Sequence, residues 1–452
     1  MKNMTLSNIA KACNGRPFNI NREDEVSGVV IDSRLVKPGY LFIATRGMRV
    51  DGHDYIESAY KQGAMAVVCE TPPSFDIPYI LVNDSFLALK QIATWYRMQL
   101  DIPVVGITGS VGKTSTKEFV SSVLSQKYKV LKTEGNFNNE IGLPLTILKI
   151  HEDHEVAVVE MGINQFGEMH RLSQIAKPDY CIITNIGQCH LENLGSQEGI
   201  LKAKTEIFDF MNEEGRVILN GDDHMLSTIS NVKGKAPIRY GFKNKNNVYA
   251  DKISSKGLLG SSCNIHINES CLHVNIPMPG SHMISNALAA ASMGALLGLS
   301  NDQILDGIEK IKPLNGRNNI IAHDRWTIID DCYNANPVSM KAAIDLLSMA
   351  DTRKVAILGD MGELGSTENM LHKEIGMYAA SKELDIIICI GALSYHMLEG
   401  AKTNFRPEGL YYFEEIDSLL TSLGDILKDG DTILVKASHF MGFDKIVKEL
   451  IK

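Results

Sequence analysis

The chain has 452 residues, 44% hydrophobic and 22% charged, with a formal charge of -9 from 45 Lys and Arg against 54 Asp and Glu. That length calls for two or three domains whose cores need no staples, and the acidic balance argues against a nucleic-acid or anionic-membrane partner. The 8 cysteines are scattered and form no C-x-x-C pair, which argues for a reducing compartment. The start is not signal-like, and no run approaches ~20 apolar residues, so a cytoplasmic protein without membrane insertion is expected.

Residues 1–98 read as a small mixed α/β domain. VSGVVIDSR and GYLFIATRG predict short strands, HDYIESAYKQGA a helix and MAVVCE a further strand before a loop at Pro72-Pro73. Residues 99–312 form a second unit, in which PVVGITG, VAVVEMG, YCIITNIG and RVILNGDD are apolar runs separated by helical stretches. They predict a P-loop ATPase-like parallel sheet with helices on both faces. Ligands of such sheets bind beyond the carboxyl ends of the strands, so the polar residues that end each run are candidates. Between about 240 and 278 the alternation in NIHI and LHVNI predicts antiparallel hairpins, followed by the helix ISNALAAASMGALLGL. Ser300 and Gln303 then form a capping box. Residues 313–452 make a third, Rossmann-like α/β unit with strands TIIDD, KVAILGD, DIIICIG and DTILVKAS and a helix SMKAAIDLLSMA.

The segment PVVGITGSVGKTSTKEF carries the strongest chemistry: a buried strand, a Gly-rich turn, Lys-Thr, then a helix. Gly109 and Gly112 permit a tight turn in which the N–H groups of Ser110, Val111 and Ser115 face one concavity, and that nest with the helix start attracts phosphate. Lys113 reaches the β- and γ-phosphates and the Thr114 hydroxyl a Mg²⁺ ion. Ile107 stands where G-x-x-x-x-G-K-[ST] has its first Gly, with Gly106 one residue earlier. Glu160 ends the next strand, where it is either a Mg²⁺ ligand or a solvated strand terminus. His190 and Lys204 are, on local sequence alone, a structural histidine and a solvated helix lysine.

Taken in order, GITGSVGKTSTK, TEGNFNNEIGLPLTIL, VVEMG, TNIGQCHLENLGS, AKTEIF, LNGDD, PGSHMISNALAAA, GRNN and IDDCYNANPVSMKAA resemble the Mur ligases of peptidoglycan synthesis, from about residue 28 to the C-terminus. The resemblance implies an ATP-dependent ligase working through an acyl phosphate. DDCYNANPVSM and LGDMGELG, with His372 following, are similar to the branch that adds D-alanyl-D-alanine to UDP-N-acetylmuramoyl-tripeptide, whose third residue is diaminopimelate or lysine. Its implied roles place Lys113 on the ATP phosphates, Thr114 and Glu160 on one Mg²⁺, and His190 on a second. Lys204 matches a lysine that several members carry as a carbamate. Asn286 is implied at the adenine, Asp331 at the ribose and Arg317 at the γ-phosphate.

The same resemblance puts Asn138 and Asn139 by the muramoyl group, and Ser33, Arg34, Gly47, Arg49, Asp51, Gly52 and His53 on the UDP-sugar. Asn334, Asn336, Asp360 and Glu363 fall on the D-alanyl-D-alanine side, and a monomer is implied. Met283 stands where the family often has Asn, and Ala437 and His439 replace Gly and Arg of a Lys-Gly-Ser-Arg run. The rival readings are a folylpolyglutamate synthase type of the same superfamily, an NTP-switched binding or transport protein, and a catalytically dead scaffold.

Overall fold

The computed structural model describes residues 1–47, 50–187 and 189–452. Three sheets follow one another along the chain. The first has five strands in the order Arg16–Phe18, Tyr79–Leu81, Ala66–Cys69, Tyr40–Ile43 and Gly28–Val30, all parallel except the antiparallel edge strand Arg16–Phe18.

The helix Ser85–Arg97 leads out of this sheet and buries Ala88, Leu89, Ile92, Ala93 and Tyr96 along one face. Spacings of three and four residues put them in a single stripe, which packs on the helices Gly142–Ile147 and Glu168–Ala176 of the central unit. As a result Ile43 and Val68 of the first unit share one continuous core with Leu143, Val159 and Ile183 of the second. Arg97 pins the joint: it is buried, and donates to the carbonyls of Ala176, Leu100 and Lys177 and to Asp179 Oδ2 at 2.9 Å. Replacing it leaves several buried acceptors bare, so Arg97→Met should cost about 3 kcal/mol of stability, measurable by urea unfolding.

The central sheet has nine strands, ordered Ser270–Ile276, Ser261–Ile267, Val248–Ser255, Ile238–Gly241, Arg216–Asn220, Tyr180–Ile183, Val104–Thr108, Val156–Glu160 and Val130–Lys132. Pairing is parallel from Val130–Lys132 through Val248–Ser255 and antiparallel only in the last hairpins. The expected alternation falls in these antiparallel hairpins, NIHI within Ser261–Ile267 and LHVNI within Ser270–Ile276. Its cause is one-sided burial, as in the adjoining strand, where Val248 and Ala250 face the helix Ser281–Leu296 while their neighbours face outward. Val104–Thr108, buried throughout, lies between Val156–Glu160 and Tyr180–Ile183, so the strand order reverses across it. Crevices open at such reversals.

The third sheet runs Asn319–Ala322, Thr327–Asp330, Thr432–Lys436, Lys354–Gly359, Ile386–Ile390 and Leu410–Phe413, parallel except at its first edge. Its two edge strands were not among the apolar runs, because edges are only half covered and carry a weaker pattern. Among the described residues no helix is long and apolar enough to cross a membrane.

Candidate active site

A cavity of about 600 Å³ opens between the carboxyl ends of the central and third sheets. Its central wall is the phosphate loop. Helix Lys113–Leu124 has no side-chain cap, since Gly112 stands at the N-cap with φ 81°, and its first N–H groups are left for an anion. The loop is held from behind: Val111 N–H donates to Asn185 Oδ1 at 3.0 Å, Asn185 Nδ2 and Thr184 Oγ1 donate to Val111 O, and Gly187 N–H donates to Ser110 Oγ at 2.8 Å. Lys113 Nζ folds over the loop onto Gly109 O at 2.8 Å. Gly109 has φ 151°, and a Cβ there would fall 1.9 Å from Thr184 Oγ1. Gly109→Ala is thus expected to abolish ADP binding in calorimetry, because the loop cannot close over Thr184.

Glu160 closes Val156–Glu160 and is 1% exposed. Its N–H donates to Thr133 Oγ1, its Oε1 accepts from Asn138 Nδ2 at 2.8 Å, and its Oε2 has no hydrogen-bond partner among the described residues. His190, with φ 54°, brings Nδ1 to 2.6 Å from Glu363 Oε2 of the third unit, outside hydrogen-bond geometry. The close approach of the His190 ring holds the Glu363 carboxyl below its usual range. Lys204, on Gln197–Thr205, is fully buried behind this wall, and its Nζ has no hydrogen-bond partner among the described residues. Burial pushes its pKa down to about 8, with the Lys113 charge adding to the effect and Cys189 opposing it.

Three buried polar atoms around the loop thus have no hydrogen-bond partner among the described residues: Glu160 Oε2, His190 Nδ1 and Lys204 Nζ. Among the described residues no three His, Cys, Asp or Glu side chains form a metal cage. An open carboxylate beside a phosphate site fits Mg²⁺, which keeps waters and phosphate oxygens as most of its ligands, and fits no closed structural metal site.

The third unit supplies the opposite wall. Asp331 accepts from Asn318 N–H at 3.1 Å and from the buried Lys436 Nζ at 2.5 Å, and Lys436 also donates to Asn334 O. Arg317 stacks over the Tyr333 ring at 4.1 Å. Across the gap Asn318 meets His282, at the start of Ser281–Leu296, with 2.9 Å between Nδ2 and Nε2. Asn286 lies against the loop, its Oδ1 accepting from Thr116 and its Nδ2 reaching Met283 Sδ. Met283 therefore supports this amide from within the helix.

Of the residues singled out in the sequence, Ser110 to Ser115, Asn138, Asn139, Glu160, His190, Asn286, Arg317, Asp331, Asn334 and Asn336 line the cavity. Asn336 also caps the helix Pro337–Ser348, and Asn139 Oδ1 accepts from Ile141 and Gly142 N–H. Asp360 is placed differently from expectation: both carboxylate oxygens are taken by the start of Ser394–Ala401, from Leu393 N–H, Ser394 N–H and Ser394 Oγ. Its role there is to cap a helix, not to line the cavity. His372 is likewise internal, accepting from Met361 N–H and bonding Glu368 O.

The first-unit set forms a separate cluster. Ser33 is buried, Arg34 pairs with Asp32 at 2.6 Å, and Asp51 accepts from the His53 N–H while His53 Nε2 accepts from Glu70 N–H. Gly52 is needed because a Cβ would lie 2.8 Å from the Thr45 backbone. Gly47 N–H donates to Val50 O, and Arg49 lies outside the described residues. Reasoning from sequence missed Asn185, Lys117 and Lys436. Lys117 sits four residues after Lys113 and so on the same helix face, but nothing in the sequence marks it as buried.

Three family descriptions match in chain order: "Mur ligase family, catalytic domain" over residues 25–99, "Mur ligase middle domain" over 107–294 and "Mur ligase, glutamate ligase domain" over 316–439. The UDP-N-acetylmuramoyl-tripeptide–D-alanyl-D-alanine ligase of Bacillus subtilis is 38% identical, covering 99% of this chain and 98% of the relative. The chain belongs to the Mur ligase family. Among solved Mur ligases, MurF from Acinetobacter baumannii superposes with TM-score 0.91 at 31% identity, covering 99% of this chain and 98% of its own. MurF ligase from Thermotoga maritima, solved in complex with ADP, gives TM-score 0.82 at 28% identity, covering 93% and 96%.

Proposed function

We propose that this Mur ligase joins the terminal carboxylate of UDP-N-acetylmuramoyl-tripeptide to the amine of D-alanyl-D-alanine, converting ATP to ADP and phosphate in peptidoglycan precursor synthesis. The observation that carries this reading is the cavity itself, in which the phosphate loop, Glu160 and His190 face Arg317, Asp331 and Asn334. The full-length likeness to relatives of that name supports the choice of substrates.

Amide formation from a carboxylate is uphill in water, so the carboxylate is activated first. A carboxylate oxygen attacks the γ-phosphorus, the bond to the β,γ-bridging oxygen breaks, and ADP departs with that electron pair. The amine of the dipeptide then attacks the acyl carbon, loses a proton, and expels phosphate. Two anions meet in the first step, and opposing charge must be in place beforehand. Lys113 moves from Gly109 O to the β- and γ-phosphates. Arg317, half of a stack with Tyr333, brings a second cation from the third unit. Asp331, braced by Lys436, takes the ribose hydroxyls, and Asn286 borders the adenine.

Thr114, Glu160 and His190 would hold Mg²⁺, which supplies charge neutralisation at the transferring phosphoryl group. Lys204 as a carbamate would add an anion beside His190. Its buried amine, with a lowered pKa and no hydrogen-bond partner among the described residues, is suited to carbamate formation, which needs the neutral amine. Contact of the third unit with the central one through Glu363–His190 and Asn318–His282 closes the cavity against water that would hydrolyse the acyl phosphate. The first-unit cluster around Ser33, Asp51 and His53 anchors the UDP-sugar.

An acceptor panel separates this reading from the folylpolyglutamate type. ADP release is expected with UDP-N-acetylmuramoyl-tripeptide and D-alanyl-D-alanine and none with a folate and glutamate; the reverse pattern would overturn it. Asp331→Ala is expected to raise the KM for ATP about tenfold or more through loss of charge-assisted ribose hydrogen bonds, with a smaller effect on kcat.

A further inference from the structure

Lys117 follows Lys113 by one turn of Lys113–Leu124 and is 1% exposed. Its Nζ donates to Thr133 O at 2.7 Å and lies 3.2 Å from Glu118 Oε1 and 3.9 Å from Glu160 Oε2. Glu118 pairs through its other oxygen with Lys132. Two ammonium groups and two carboxylates thus balance behind the phosphate loop, Lys117 and Glu160 buried, Glu118 partly buried and Lys132 exposed at the outer end. Thr133 ties the group together, its carbonyl holding Lys117 and its hydroxyl accepting from Glu160 N–H.

A buried carboxylate with one oxygen bare is costly unless a cation stands near. A cation hydrogen-bonded to that oxygen would occupy the lone pairs a metal needs. At 3.9 Å Lys117 is within ion-pair range of Glu160 Oε2 but too far to hydrogen-bond it, and among the described residues Oε2 has no hydrogen-bond partner. We propose that Lys117 is a positioning residue, the resident counter-cation of Glu160: it neutralises this carboxylate between turnovers while leaving Oε2 open to a divalent cation. The inference rests on the reading of Glu160 as a metal ligand. Lys117 itself is not among the residues that line the cavity.

The test is thermal unfolding of the full chain without nucleotide, with and without MgCl₂ or MnCl₂, for wild type, Lys117→Met, Glu160→Gln and the double variant. Lys117→Met is expected to melt more than about 5 °C lower, and divalent cations should recover at least half of that loss while moving wild type less. The double variant, which removes both charges, should melt above Lys117→Met. An equal loss with and without divalent cation, or a double variant no more stable than the single, overturns the proposal. If Lys117→Met fails to fold, the double variant decides: folded supports the pairing, unfolded overturns it. In a parallel melt with Mg·ADP added, Glu160→Gln alone should show a smaller nucleotide-induced shift than wild type. An unchanged shift removes Glu160 as a ligand and the inference with it, whereas a reduced shift without coupling to Lys117 removes the Lys117 role only.

Discussion

Lys113→Ala is expected to lower turnover about a thousandfold or more at saturating ATP, the scale of losing a preorganised charge at a transferring phosphoryl group. The melting temperature should move by no more than about 2 °C. Lys113 is half-buried, and among the described residues its Nζ donates only to the Gly109 and Ser110 carbonyls of its own loop, so its removal breaks no pairing between described elements. The fold around it is held instead by Asn185, Thr184 and Ser110. Initial-rate phosphate release and a melting curve on the same sample check both halves. Retention of more than a small fraction of activity contradicts the role given to this loop.

Lys204→Ala is expected to have the second largest effect, a loss of about a hundredfold or more in kcat, because it removes the anion that a carbamate would place beside His190. The pKa of about 8 gives this a pH signature. Burial disfavours the charged amine, so the folded pKa lies below the unfolded one. The unfolded chain therefore holds the extra proton between about pH 8 and the usual lysine range, and stability rises with pH across that window. Below about pH 8 the full cost of burying the ammonium is present. The neutral amine, and with it carbamate formation, should rise as pH climbs through 8. Labelling with ¹³C-bicarbonate should give a carbamate carbonyl signal in wild type that Lys204→Ala lacks. Absence of that signal at pH values where the amine is neutral removes the carbamate from the account.

Much of this site was legible in the sequence because its residues end strands or open helices. A phosphate loop needs small residues at fixed steps, and Gly109, Gly112, Lys113 and Thr114 show them in one short stretch. Glu160 and Asp331 stand where apolar runs stop, which is where parallel sheets put ligands. The ordered resemblance supplied the roles of Asn286 and Arg317, which no local pattern carries. Asp360 shows the limit: an acid ending the run KVAILGD reads the same whether it faces a ligand or caps a neighbouring helix, and Ser394–Ala401, 34 residues on, decided it. Lys117 and Lys436 were invisible for a related reason, since burial of a lysine depends on partners distant in the chain. The alternation in NIHI and LHVNI did mark antiparallel hairpins, because Ser261–Ile267 and Ser270–Ile276 each turn one face toward the core and the other outward.

The central claim is tested most directly by phosphate release from ATP and Mg²⁺ with UDP-N-acetylmuramoyl-tripeptide and D-alanyl-D-alanine omitted in turn. Release that requires both, with one product of the summed mass less water, is the expected result. Release from ATP alone, unchanged by either acceptor, would contradict it and point to a protein that spends the nucleotide on movement.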